Sequence, residues 1–136
     1  IQNYFWNWSR SYMYWVTMTT HDLDEYNQGP YNNLTELNPT LLIENPNESD
    51  KWYTTPEYYL LGHFSKFIRP GAYRIDCDKG NSEELSFITF RNSDGGIVLI
   101  ATNQTEKSKH FTFLFKDKSS STSIPPRSIG TYLWKE

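Results

Sequence analysis

The feature that most constrains this 136-residue sequence is a change of apolar period at Pro70-Gly71. Before it, Tyr59, Leu60, His63, Phe64 and Phe67 recur at helical spacing and define one face to be buried. After it the period falls to two, the signature of strands, over residues 72–77, 85–90, 97–102, 110–115 and 129–134. One element type cannot satisfy both periods, so a helix must hand over to an all-β module.

Local chemistry sharpens these boundaries. Thr55 can cap, Pro56 suits the first helical position and Glu57 complements the helix dipole. Gly62 in the helix interior costs about 1 kcal/mol relative to Ala, so a neighbouring element is expected to approach it closely. Asn92-Ser93-Asp94-Gly95-Gly96 predicts a hairpin between the second and third strands. Residues 119–123 followed by Ile124-Pro125-Pro126 read as a polar, then rigid, connection. Short strands at this spacing predict an antiparallel β-sandwich.

The first 20 residues have a different texture. Tyr12-Met13-Tyr14-Trp15-Val16-Thr17-Met18 is aromatic and β-branched, with apolar side chains on both parities. Such a strand is expected to be buried on both faces, as in a parallel sheet or barrel. Residues 1–11 are expected to hold the preceding helix. Residues 21–55 read as a long loop, with turn chemistry at Asn27-Gln28-Gly29-Pro30, Asn38-Pro39 and Asn45-Pro46-Asn47 and a short strand over 40–43.

Composition bounds the partners. Five Trp, ten Tyr and eight Phe require a packed core. A net charge of −3 without a basic block argues against nucleic acid. Cys77 is the only cysteine, so an internal disulfide and a cysteine metal cluster are both excluded. The spacing of His21, His63 and His110 predicts no metal site. Asn7-Trp8-Ser9, Asn33-Leu34-Thr35, Asn47-Glu48-Ser49 and Asn103-Gln104-Thr105 are glycosylation sequons, which point to passage through the secretory pathway.

Several stretches together resemble glycoside hydrolase family 30, and in particular its glucosylceramidases. They are Asn7-Trp8-Ser9-Arg10-Ser11 with Tyr14-Trp15, Gly29-Pro30, the helix run from Pro56 through Phe67 to Ala72, and the closing Ser128-Ile129-Gly130-Thr131-Tyr132-Leu133-Trp134. The resemblance implies a (β/α)8 barrel fused to a β-sandwich. Residues 1–69 would hold the barrel's eighth strand (12–19), a long loop and its eighth helix (56–68), and residues 70–136 most of the sandwich. The chain would then be the carboxyl-terminal part of a secreted or lysosomal enzyme.

Members of that family are retaining β-glycosidases, whose two carboxyl groups stand about 5–5.5 Å apart. The resemblance places both glutamates on barrel strands preceding Ile1. Glu25, Glu36, Glu44, Glu48 and Glu57 match neither motif, and the chain alone is expected to be inactive. It also implies no cofactor, a glycolipid or other β-glycoside as substrate, the rest of the barrel as a neighbour, and membrane contact through a lipid substrate. Trp15 matches a tryptophan that offers a flat face to a sugar ring, and Asn33 an asparagine that bonds sugar hydroxyls. The sequence departs from the family where Val16-Thr17-Met18-Thr19-Thr20 replaces an asparagine-led run and where Tyr31 and Asn32 stand in place of a tryptophan. Both changes bear on substrate choice, leaving a β-1,6-glucan, or an inactive or carbohydrate-binding homologue, as alternatives to glucosylceramide.

Overall fold

A computed structural model describes residues 1–22, 40–48, 50–78 and 84–135. In chain order the elements are α1 (Gln2–Trp6), β1 (Met18–Thr19), β2 (Leu42–Glu44), β3 (Trp52–Thr54), α2 (Pro56–Ser65), β4 (Tyr73–Ile75), β5 (Leu85–Arg91), β6 (Ile97–Asn103), β7 (Lys109–Phe115), β8 (Lys118–Ile124) and β9 (Ser128–Trp134). They fall into two compact units, one of residues 1–9 with 63–136, the other of residues 10–62.

The first unit is built on an antiparallel sheet in the order β4-β5-β6-β9. Alternation gives this sheet two apolar faces. Ile88 and Phe90 on β5 stand opposite Ile100 and Val98 on β6, and the two isoleucines are fully buried. Phe64 at the end of α2, together with Ile1, Phe5 and Trp6, covers this face. The Phe5 ring stacks on Phe64 and meets Phe90 edge-on, both at 5.7 Å. Burying each such side chain contributes roughly 1.5–3 kcal/mol.

Leu85, Phe87, Leu99 and Ala101 point to the other face, where the β7–β8 hairpin lies over them. Phe111 reaches Phe87 and Tyr132 at 5.1 and 5.5 Å, and Phe113 stacks on Trp134 at 5.0 Å. The result is an antiparallel sandwich, mainly β, as the period-two pattern requires.

Residues 119–123 are strand, not connection. Lys116-Asp117 turns the chain tightly, with Lys116 in the left-handed region at φ 55°, and Ser120 and Thr122 pair with Phe113 and Phe111. Outside, Thr112 Oγ1 and Ser121 Oγ lie 2.8 Å apart. A strand of hydroxyl residues carries no apolar period of its own, because its partner β7 supplies the apolar face.

The turn between β5 and β6 forms as its sequence predicts. Asn92 N–H donates to Gly96 O at 2.8 Å, with Gly95 at φ 82°. Asn92 is buried and also ties the turn to the end of α2, accepting from Arg69 N and donating to Phe67 O, each at 3.0 Å. The amide of Gly96, helped by Arg69, holds the Asp94 carboxyl below its usual range.

The second unit contains a three-stranded sheet, β1-β2-β3, with β1 and β2 parallel and β2 and β3 antiparallel. The strand expected over 12–19 reduces to Met18–Thr19. Tyr12, Tyr14 and Val16 are half-covered, whereas Met13 and Trp15 are 91% and 76% exposed. A run apolar on both faces needs neighbours on both, and within this unit only one face has them.

Thr55 organises the start of α2. Its amide and hydroxyl reach Leu41 O at 3.1 and 3.2 Å, and its side-chain oxygen accepts from Tyr58 N at 3.4 Å. Gly62 overturns one expectation. Among the described residues nothing lies within 4 Å of the position its Cβ would take, so no close packing explains this glycine.

Candidate functional site

Trp15 is the sequence-predicted site residue that the structure describes most fully. It precedes a cis peptide bond to Val16, and the carbonyl of Val16 accepts from Thr40 Oγ1 at 2.9 Å. Leu42 N–H donates to Thr17 O at 3.0 Å, so the segment is fixed from the β2 side. The Tyr12 and Tyr14 rings stand 6.5 Å apart on the covered parity, and burial, then the charge of Glu57, pushes the Tyr14 phenol up. Asn33, the second expected sugar contact, lies outside the described residues.

Two of the described glutamates of the second unit, Glu44 and Glu48, have local partners. Glu44 accepts from Thr20 Oγ1 at 3.3 Å and lies 3.8 Å from His21 Nδ1. Glu48 pairs with Lys51. Glu57 sits in the first turn of α2. Glu25 and Glu36, like Asp24, lie outside the described residues.

The sequons separate by exposure. Asn7 and Asn47 are exposed. Asn103 is fully buried, and its Nδ2 donates to Lys107 O and Pro125 O at 2.8 Å and to Ile124 O at 3.3 Å. Its Oδ1 accepts from the amide and hydroxyl of Thr105. A glycan needs the same nitrogen, so this geometry speaks against Asn103 as an acceptor. The Asn-x-Thr pattern instead builds the turn after β6.

His63 is half-buried, as its place on the helix face implies. It shares a 2.7 Å hydrogen bond with Thr131 Oγ1 on β9, and burial lowers its pKa. Cys77 is half-buried beside Leu85 and Phe87.

One cluster escaped the sequence reading. The Arg74 guanidinium lies over the rings of both Trp6 and Trp8, at 4.8 and 4.2 Å from their centroids. Trp6 and Trp8 at alternate positions, with an arginine on the first sandwich strand, were the available signal. Only the fold brings residues this distant in sequence together.

The architecture has known counterparts. Residues 71–132 match the family model described as "Glycosyl hydrolase family 30 beta sandwich domain". The β-sandwich of this chain is thus similar to that of glycoside hydrolase family 30.

Among curated relatives, it is 33% identical over 87 residues to "Lysosomal acid glucosylceramidase" of Mus musculus, covering 63% of this chain. It is also 33% identical over 63 residues to "Glucuronoxylanase XynC" of Bacillus subtilis, covering 46% of this chain. The chain spans 17% and 15% of those two proteins. In structure it is similar to "The endo-beta1,6-glucanase BT3312", with a TM-score of 0.81 at 23% identity over 99% of this chain and 29% of that one.

Proposed function

We propose that this chain is the carboxyl-terminal part of a retaining β-glycosidase that hydrolyses glucosylceramide to glucose and ceramide. In this reading residues 1–69 complete the catalytic barrel and residues 70–136 form the sandwich, with both catalytic glutamates on preceding strands. The observation that carries it is the family 30 β-sandwich match over residues 71–132, and Trp15 stands where the family resemblance expects a sugar contact. An indole offers a flat apolar face to a sugar ring. The glucosylceramidase relative supports the substrate class, and its lysosomal name supports passage through the secretory pathway.

A related β-glycoside such as a β-1,6-glucan is the second reading, favoured by the Val16-Thr17-Met18 run next to Trp15. Hydrolysis rates of the full-length protein on glucosylceramide and on β-1,6-gluco-oligosaccharides distinguish the two. Trp15→Ala is expected to raise KM on the preferred substrate by roughly tenfold, the effect of removing one central aromatic contact. Absence of turnover on every β-glycoside, with the protein folded, defeats the proposal in favour of an inactive homologue.

A further inference from the structure

The turn that ends α1 carries a tryptophan where helices favour glycine. Trp8 N–H donates to Phe5 O at 3.2 Å and Ser9 N–H to Tyr4 O at 3.1 Å. Those two bonds define the Schellman motif, with Trp8 at φ 65° in its left-handed position. Glycine is the usual residue there, because a Cβ crowds the following carbonyl. The Trp8 side chain therefore has to offset what its backbone conformation costs. Arg74 on β4 supplies the partner, its guanidinium 4.2 Å from the Trp8 ring centroid and 4.8 Å from that of Trp6. The arginine side chain is itself only 9% exposed, and its Nη1 donates to Asp76 Oδ1 at 3.1 Å. Trp6 is fixed in turn, its Nε1–H donating to Phe87 O on β5 at 2.9 Å. A planar cation and two indoles thus tie the end of α1 to the first two strands of the sandwich. The chain leaves this tie at Ser9, six positions before Trp15.

We propose that Arg74 is a positioning residue for the sugar contact at Trp15. By holding Trp6 and Trp8 it sets where, and in which direction, the chain enters the segment that carries Trp15. Glycine in place of Trp8 would end the helix equally well but leave that exit unclamped. Lysine in place of Arg74 would keep the charge without the planar face. A residue of the sandwich then contributes to substrate affinity without touching the substrate. This role rests on the reading of Trp15 as a sugar contact, and it is tested through binding as well as turnover.

The test uses variants of the full-length protein, assayed for KM and kcat on an aryl β-glucoside. Calorimetry adds the Kd of deoxynojirimycin, a glucose-shaped iminosugar, and thermal midpoints check folding. Arg74→Met and Trp8→Gly should each raise KM and Kd several-fold, up to the roughly tenfold expected of Trp15→Ala, with kcat little changed. Trp8→Gly separates this role from a merely structural one, which predicts wild-type affinity because glycine suits the turn. In a Trp15→Ala background neither change should weaken binding further, since the contact they position is gone. Unchanged affinity in folded Arg74→Met and Trp8→Gly overturns the role, as does full additivity with Trp15→Ala. Wild type that binds the iminosugar without turnover defeats the hydrolytic reading alone. Wild type that neither binds nor hydrolyses defeats both.

Discussion

His63 on α2 and Thr131 on β9 share a hydrogen bond of 2.7 Å, joining the end of a helix to the last strand of the sheet. Burial lowers the pKa of His63, so the folded state favours the neutral imidazole, whose Nδ1 can accept from the threonine hydroxyl. The unfolded chain takes up this proton near pH 6.5, the ordinary histidine value. Between that pH and the lower folded value the unfolded state binds more protons, so stability falls as pH falls. Urea midpoints from pH 7.5 down to 5 should show this slope, damped by solvent because the group is only half-buried. His63→Gln should flatten it. An unchanged slope in the variant would assign the pH dependence elsewhere.

Asn103 is predicted to be structural. Asn103→Ala removes five hydrogen bonds, leaving the Thr105 amide without its acceptor and the carbonyls of Lys107, Ile124 and Pro125 each with a hydroxyl donor, at a cost of about 1–3 kcal/mol. Denaturant titration measures that loss. Peptide mapping of protein from a glycosylating host should find Asn103 unmodified and sugar on Asn7 and Asn47, the two exposed acceptors among the described residues.

Gly62→Ala should stabilise the chain by about 1 kcal/mol, since alanine favours the helix and its methyl group meets open space. A lower thermal midpoint instead would show that a further segment of the protein occupies that space.

Gly130 behaves oppositely. A Cβ there would lie 3.0–3.2 Å from the ring and hydroxyl of Tyr132, which closes over the glycine on β9. Gly130→Ala should cost about 1–3 kcal/mol, the range for overpacking. Adding Tyr132→Leu should recover part of that loss in the double mutant, because the clashing ring is gone.

Much of the sandwich was legible in advance, because β7 alternates, β5 and β6 carry apolar side chains toward both faces, and Asn92 to Gly96 states where the chain turns. The helix was legible from Thr55 and Pro56, but of the face expected to be buried only Phe64 is buried, while Tyr59 and Leu60 are exposed. Other features depended on partners that local pattern does not encode. β8 is polar because Phe111 and Phe113 supply the apolar layer between hairpin and sheet. Residues 12–17 have the composition of a doubly buried strand but lack neighbours on the Met13 and Trp15 side within their unit.

The candidate site divides along the same line. Sequence by itself determined that Trp15 is aromatic where the family resemblance expects a sugar contact, that four sequons exist, and that helix gives way to strands at Pro70-Gly71. Tertiary structure decided that Trp15 lies on the opposite parity from Tyr12 and Tyr14, that Asn103 commits its amide to three carbonyls, and that Arg74 meets the rings of Trp6 and Trp8. Periodicity records the environment each residue needs on average. Exposure, hydrogen-bond satisfaction and stacking depend on which distant residue arrives to meet it.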